Sequence, residues 1–311
     1  MPPEESSAEA FATALSAEKI DFFKICIDSW KRLDFSLNEP ELVEQYLTYP
    51  NVGVDYLNKT FCSPFSQASG RYSIKFSSIF IHARPKVYRH INPVPTPHSA
   101  SCEMGDICLI YVHVDSGKNI RYAKAIIAQA KKAKSLDSED QRLLYDEASG
   151  FDYKAKAFYK KTYNNEPSRA LPGYQDGRSL GLKYLILESR KRNPAALYSI
   201  PWASDLSHTW GASLFRMATG SDGLEFAPGK PNESRWSAIL DDLIRMGRGA
   251  IPSTSKKPTR RADVTDLDEI IDQFNNFKNY ETWTLRANDL VPGGTPMMLM
   301  IVQDRLLEVN Q

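Results

Sequence analysis

A β-hairpin constrains the fold of this chain more than any other feature. Residues 107–114 are apolar and rich in β-branched side chains, which favours a strand. The segment Asp-Ser-Gly-Lys-Asn at 115–119 suits a chain reversal, and a second apolar run starts at Ile120. The ends of two antiparallel strands meet, so we expect Asp106 to lie beside the end of the second strand.

Two further polar residues stand at that second end. Asp106 opens the first arm, and Gln129 and Lys131 close the second. Side chains alternate along a strand, so Gln129 and Lys131 should share one face. The sequence therefore predicts that a carboxylate, an amide oxygen and an ammonium group converge at the end of a sheet.

This combination suits metal-assisted hydrolysis of a phosphodiester. Mg²⁺ and Mn²⁺ take oxygen ligands, and Mg²⁺ in particular keeps several waters. Asp106 is the first expected ligand and Gln129 the second, while Glu103 is the candidate for an additional acid. Lys131 can orient a metal-bound water or offset charge on the phosphate. The predicted catalytic residues are Asp106, Gln129 and Lys131.

An Asp followed across a hairpin by Glu-x-Lys or Gln-x-Lys resembles the signature of the restriction-endonuclease-like nucleases, the PD-(D/E)XK superfamily. The Gln form is similar to that of Mrr-type restriction enzymes. The resemblance covers residues 103–132; no proline precedes Asp106, and Gln129 replaces the commoner acid. It implies a magnesium-dependent endodeoxyribonuclease of prokaryotic restriction or anti-phage defence. Because a double-strand cut calls for two active sites, it also implies a homodimer or a subunit of a larger complex.

A helix is the alternative for the second arm. Residues 122–134 are rich in alanine and lysine, which favour an amphipathic surface helix with a solvated basic face. In such a helix the three polar groups would not meet. The tight turn and the β-branched first arm favour an extended chain at least over 120–127, with helix after Lys131 or Lys132.

The remaining pattern predicts an α/β fold with a mixed sheet. Strands are expected at 73–82, 183–188 and 196–200. Helices are expected at 11–33, 39–47 and 138–148. The proline-rich segment 85–97 is expected to be a loop beside the site. The order helix, three strands, helix, strand matches a restriction-endonuclease-like core in residues 1–200. Residues 201–311 are expected to form a mixed helical region that binds substrate or a second subunit, with helices at 236–246 and 266–277 and a strand at 296–302.

Charge does not identify a nucleic-acid footprint. With 39 basic and 38 acidic residues the net charge is +1, so any attraction to DNA or RNA must be local. Basic runs are most often solvated faces, and two residues of the helix predicted at 138–148 could also touch substrate. The candidate nucleic-acid contacts are Lys132, Lys134, Gln141, Tyr145, Arg190, Lys191 and Arg192.

The cysteine pattern suits a reducing compartment. Four cysteines at irregular spacing form neither a disulfide framework nor a zinc motif, and we expect a cytoplasmic protein. No apolar run approaches about 18 residues, so no membrane partner is expected.

Two further classes of protein stay open. A catalytically silent member of the same fold could bind nucleic acid or a partner protein in a defence complex, and Gln129 in place of a second acid favours it. After the nuclease and its silent relative, a plain protein-interaction module is the third possibility. In that case residues 129–134 form only the exposed surface of a helix.

Overall fold

The computed structural model describes most of the chain. The described residues are 3–18, 20–80, 85–91, 96–97, 100–117, 119–132, 139–147, 150–154, 168–173, 179–189, 191–201, 206–247, 284–286 and 295–305. The helix expected at 266–277 and the candidate contacts Lys134 and Arg190 lie outside these residues.

Helices occupy the first 70 residues. They are α1 (Pro3–Ala17), α2 (Phe22–Lys31), α3 (Glu39–Thr48), α4 (Gly53–Leu57), a π-helical turn (Asn58–Cys62) and α5 (Ser63–Ala68). Side-chain N-caps define the first residues of two of these helices. The Asp21 side chain accepts from the N–H of Lys24 at α2, and Asn38 and Glu41 form a reciprocal capping box at α3.

Strands dominate the rest of the chain. In the first part they are β1 (Tyr72–Phe80), β2 (Lys86–Ile91), β3 (Thr96–Pro97), β4 (Cys102–Glu103), β5 (Ile107–Val114) and β6 (Ile120–Lys132), followed by α6 (Glu139–Asp146). Then come β7 (Gly150–Tyr153), β8 (Ser168–Ala170), β9 (Leu182–Leu187), β10 (Ala195–Ser199), β11 (Ser207–Thr209), α7 (Trp210–Ala218), β12 (Leu224–Glu225), α8 (Arg235–Gly247), β13 (Thr284–Arg286) and β14 (Met297–Asp304).

The predicted hairpin is present, and the helical alternative is wrong for its described residues. β5 and β6 pair antiparallel from Ile107 with Ala128 to His113 with Tyr122. β6 remains extended to Lys132 because its second half also pairs with β9 on the other side. Burial between two neighbouring strands overrides the helix preference of alanine and lysine.

The central sheet is mixed, with mostly antiparallel pairs. Within the described residues nine strands take the order β11-β10-β9-β6-β5-β14-β1-β13, with β12 paired to β6. The parallel pairs are β6 with β9, β5 with β14 and β1 with β13. Because β14 lies between β1 and β5, the expected division at residue 200 does not divide this sheet.

The two faces of the central sheet are covered differently. Helices α1 to α5 and α7 pack on one face, where the rings of Trp30 and Tyr46 stack at 4.0 Å. On the other face lie α6, α8 and a second sheet, in which five described strands are ordered β3-β2-β7-β8 with β4 on β2. The expected loop at 85–97 is wrong in part, because β2 occupies Lys86–Ile91 and joins this second sheet.

None of the helices in the described ranges is both long enough and apolar enough to cross a membrane.

Candidate functional site

The candidate site begins with Asp106, the residue immediately before β5. Its backbone N–H donates to the carbonyl of Ala128 (2.9 Å), and its carboxylate Oδ2 accepts from the N–H of Ala130 (2.6 Å). Asp106 is only 3% exposed. The two bonds hold the carboxylate alongside Gln129, as the hairpin pattern predicted.

Gln129 is held in one orientation by a backbone contact. Its Nε2 donates to the carbonyl of Glu103 (2.9 Å), and its residue surface is 0% exposed. Its Oε1 is buried and has no hydrogen-bond partner among the described residues. A buried oxygen without a partner costs about 1–3 kcal/mol, so this atom is suited to a ligand that supplies positive charge.

Lys131 lies on the same face of β6 as Gln129. Its Nζ donates to Oε1 of Gln141 on α6 (3.1 Å), and its side chain is partly exposed. Gln141, which was expected only as a substrate contact, therefore lies next to Lys131 and positions its ammonium group.

Tyr145 packs against the turn before β5. Its hydroxyl donates to the carbonyl of Met104 (2.9 Å), and the residue is 0% exposed. Burial raises the pKa of the Tyr145 phenol well above its usual range, and the nearby Asp106 carboxylate adds to this, so the group is a neutral donor. Because Tyr145 is fully buried, nucleic acid cannot contact it in this conformation.

Helix α6 is attached to both sheets by polar contacts. Arg89 of β2 forms ion pairs with Asp140 (3.3 Å) and Glu147 (3.7 Å), and the Tyr184 hydroxyl of β9 donates to Asp146 (3.2 Å). The sequence did not single out Arg89, because its strand lies in the proline-rich segment. The alternating run Lys86–Ile91 was the signal that could have found it.

Lys132 lies on the opposite face and holds the loop before α3. Its Nζ donates to the carbonyls of Phe35 and Leu37 (2.8 Å each), and its N–H donates to Oε1 of Glu39 (3.0 Å). The expected role of Lys132 in binding nucleic acid is therefore replaced by a structural one in this conformation. Glu39, the first residue of α3, is a contact that the sequence did not indicate.

Two other basic candidates are exposed near the same end of the sheet. Lys191 and Arg192 follow β9, which runs parallel to β6, so they lie at the end that carries Lys131. Lys191 pairs with Glu188 (2.7 Å).

The donor set suits a magnesium ion that keeps most of its waters. Among the described residues no group of three or more His, Cys, Asp and Glu side chains could hold a metal ion. Mg²⁺ needs less, since one or two carboxylates with waters and a substrate phosphate are usual. By ligand type the Asp106 carboxylate and the unpartnered Gln129 Oε1 match that requirement, while both residues are almost fully buried in this conformation. Glu103 contributes its carbonyl to the orientation of Gln129.

No protein-family model, curated protein or solved structure matches this chain. A function for this chain is therefore inferred from the residues at the end of the β5–β6 hairpin.

Proposed function

We propose that this chain is a magnesium-dependent endonuclease that hydrolyses DNA phosphodiester bonds, with a restriction-endonuclease-like core. One observation carries the proposal: the Asp106 carboxylate, a buried Gln129 oxygen without a partner and the Lys131 ammonium group occupy one end of a single hairpin. The element order supports the core in part. α3, β1, β5, β6, α6 and β9 occur in the order helix, three strands, helix, strand, but other helices and the second-sheet strands β2, β3, β4, β7 and β8 lie between them, and β14 is inserted beside β5.

Each residue of the site has a definite task in this reaction. Asp106 and Gln129 would hold the ion, which when bound supplies Lewis-acid activation of water and phosphate. The N–H of Ala130 keeps the Asp106 carboxylate in place, and the carbonyl of Glu103 does the same for the Gln129 amide. Lys131, once it leaves Gln141, donates to the attacking water or to a phosphate oxygen.

The test is cleavage of supercoiled and linear DNA in Mg²⁺ or Mn²⁺. Asp106→Asn and Lys131→Ala should each lower the rate by roughly 10²–10³, the usual effect of losing one charge-stabilising group. Lys24→Ala is the matched control, because Lys24 is an exposed lysine of α2, on the opposite face of the sheet, and should keep full activity. RNA of the same sequence identifies the substrate class. Circular dichroism establishes equal folding.

We also propose that the active form is a homodimer or a subunit of a larger complex in the cytoplasm of a prokaryote. Two sites are required for a double-strand cut, which supports this assembly. Light scattering of the purified chain with and without a DNA duplex measures it. A monomer in both states that still cuts both strands contradicts it.

A second function is a catalytically silent nuclease fold that binds nucleic acid or a partner protein in a defence assembly. The site supports this candidate because Asp106 is the one carboxylate of the Asp106, Gln129 and Lys131 set, and because Asp106 and Gln129 are 3% and 0% exposed. It predicts DNA binding that weakens steeply with salt and is not followed by cleavage in either metal.

A further inference from the structure

Helix α6 covers the candidate site. Asp106 is 3% exposed, and Gln129 and Tyr145 are both 0% exposed. Tyr145 lies over the turn that carries Asp106, because its hydroxyl bonds to Met104 and would be 3.2 Å from a Cβ placed on Gly105. A strand of DNA cannot bring a phosphate to Asp106 and Gln129 while the ring of Tyr145 is in this position.

Few apolar side chains hold α6 against the rest of the protein. Of its eight described residues, those that are buried are Gln141, Leu144 and Tyr145. Its described attachments also include the ring contact of Tyr145 with Tyr184 and hydrogen bonds and ion pairs to Lys131, Met104, Arg89 and Tyr184. A helix of this length is marginal by itself, and an element held by polar contacts opens at lower free energy than a packed sheet.

We infer that α6 is a lid that opens as a unit while the central sheet stays folded. Opening removes Tyr145 from the turn before β5 and separates Gln141 from Lys131. The ammonium group then becomes available to a phosphate oxygen, which is a stronger acceptor than an amide because it is charged. This last consequence rests on the proposed nuclease function, whereas the opening itself does not.

A native cysteine reports the opening. Cys102 lies in β4, against which α6 packs, and is 6% exposed. Because this side chain is almost fully buried, the closed state is protected from reagents in solution. Cys26 and Cys62 are buried in the helical layer on the other face and serve as internal controls for global unfolding.

The experiment is alkylation of the full chain by iodoacetamide without denaturant, with each cysteine followed by peptide mass spectrometry. Cys102 should react at least about tenfold faster than Cys26 and Cys62, because local opening is more frequent than global unfolding. Tyr145→Phe removes one hydrogen bond of the lid and should speed Cys102 about fivefold. Tyr46→Phe is the matched control: Tyr46 is fully buried in the helical layer on the other face, where its hydroxyl bonds to Ser29, so the rate at Cys102 should not change.

Two outcomes overturn the lid. Cys102 could react as slowly as Cys26 and Cys62, or Tyr46→Phe could accelerate it as much as Tyr145→Phe does. In either case the site opens only when the whole protein unfolds. DNA cleavage by the same samples separates this result from the proposed function. If the lid opens but the protein does not cleave DNA, only the proposed nuclease function is contradicted. If the protein cleaves DNA but Cys102 reacts only through global unfolding, only the proposed lid is contradicted.

Discussion

At the scale of single residues, backbone groups fix the polar side chains of the candidate site. The N–H of Ala130 binds the Asp106 carboxylate, and the carbonyl of Glu103 binds the Gln129 amide. The sequence predicted the approach of Asp106, Gln129 and Lys131, because a hairpin brings its two ends together. It could not predict their hydrogen-bond partners, since these depend on a register that a shift of one residue would change.

Gln129→Glu should make stability depend on magnesium. The new carboxylate loses the hydrogen bond to the Glu103 carbonyl and lies near Asp106, so we expect a loss of about 1–3 kcal/mol without metal. Magnesium should restore part of this loss, because it binds only the folded chain. Thermal unfolding with and without Mg²⁺ measures the effect. Gln141→Glu, beside Lys131, is the control and should gain no stabilisation from Mg²⁺.

Gly105→Ala should destabilise the turn before β5. A Cβ at this position would lie 2.5 Å from Cγ2 of Ile127 and 3.2 Å from the Tyr145 hydroxyl. Overpacking of this kind costs about 1–3 kcal/mol. Urea unfolding measures the loss, and Gly173→Ala is the control because nothing lies within 4 Å of its Cβ. Equal stability of the two variants would contradict the packing described for this turn.

At the scale of elements, the hairpin and the longer strands β1, β9, β10 and β14 follow from local pattern, whereas β2 and the strands of two to four residues do not. The segment 85–97 contains prolines, which favoured a loop, yet residues Lys86–Ile91 form a strand. Its partners β4 and β7 lie 11 or more residues further along the chain, and pairing at a distance overrides local propensity. The same reason explains β6, where burial between β5 and β9 outweighs a helical composition.

Lys132→Met should weaken the link between β6 and the loop before α3. The variant removes the two hydrogen bonds to the carbonyls of Phe35 and Leu37 while the apolar stem is kept. We expect a loss of roughly 1–3 kcal/mol in urea unfolding, because hydrogen bonds to a charged group are the stronger ones. Affinity for DNA should not change, since Lys132 lies on the face opposite to Lys131. A weaker DNA complex at unchanged stability would restore its expected role in binding.

At the scale of the whole molecule, the central sheet joins distant parts of the chain. β14 lies between β1 and β5, and β1 and β14 are separated by more than 200 residues. The apolar run at 296–302 predicted a buried strand, but no local pattern indicates which strands it joins. Strand order is decided by packing of the complete chain, so local sequence patterns predict the class of the fold more readily than its topology.

The packing of α8 on the second sheet should depend on pH. Arg169 of β8 donates to Asp242 of α8 (2.9 Å), and both side chains are buried. Burial raises the pKa of Asp242 from 3.8 to about 6, although the pairing with Arg169 opposes this. Since the folded state binds this proton more tightly than the unfolded state, Asp242 favours folding most below pH 3.8 and loses this contribution as the pH rises through 6.

The change amounts to about 3 kcal/mol in the free energy of unfolding, by the conversion of roughly 1.4 kcal/mol per pH unit. Urea unfolding at pH 4 and pH 7 measures it in the wild type and in Asp242→Asn, which does not titrate. The wild type should lose more stability than the variant between these two values. The same pH dependence in both proteins would contradict the raised pKa of Asp242.

We propose that the end of the β5–β6 hairpin is a metal-dependent nuclease site. Its most direct test is the cleavage of supercoiled DNA by the wild type and by Asp106→Asn at equal folding in Mg²⁺. We predict nicking or linearisation by the wild type, lost in EDTA and lost in the variant. A well-folded wild type that leaves DNA and RNA intact in both Mg²⁺ and Mn²⁺, or a variant that cuts equally well, would contradict the claim.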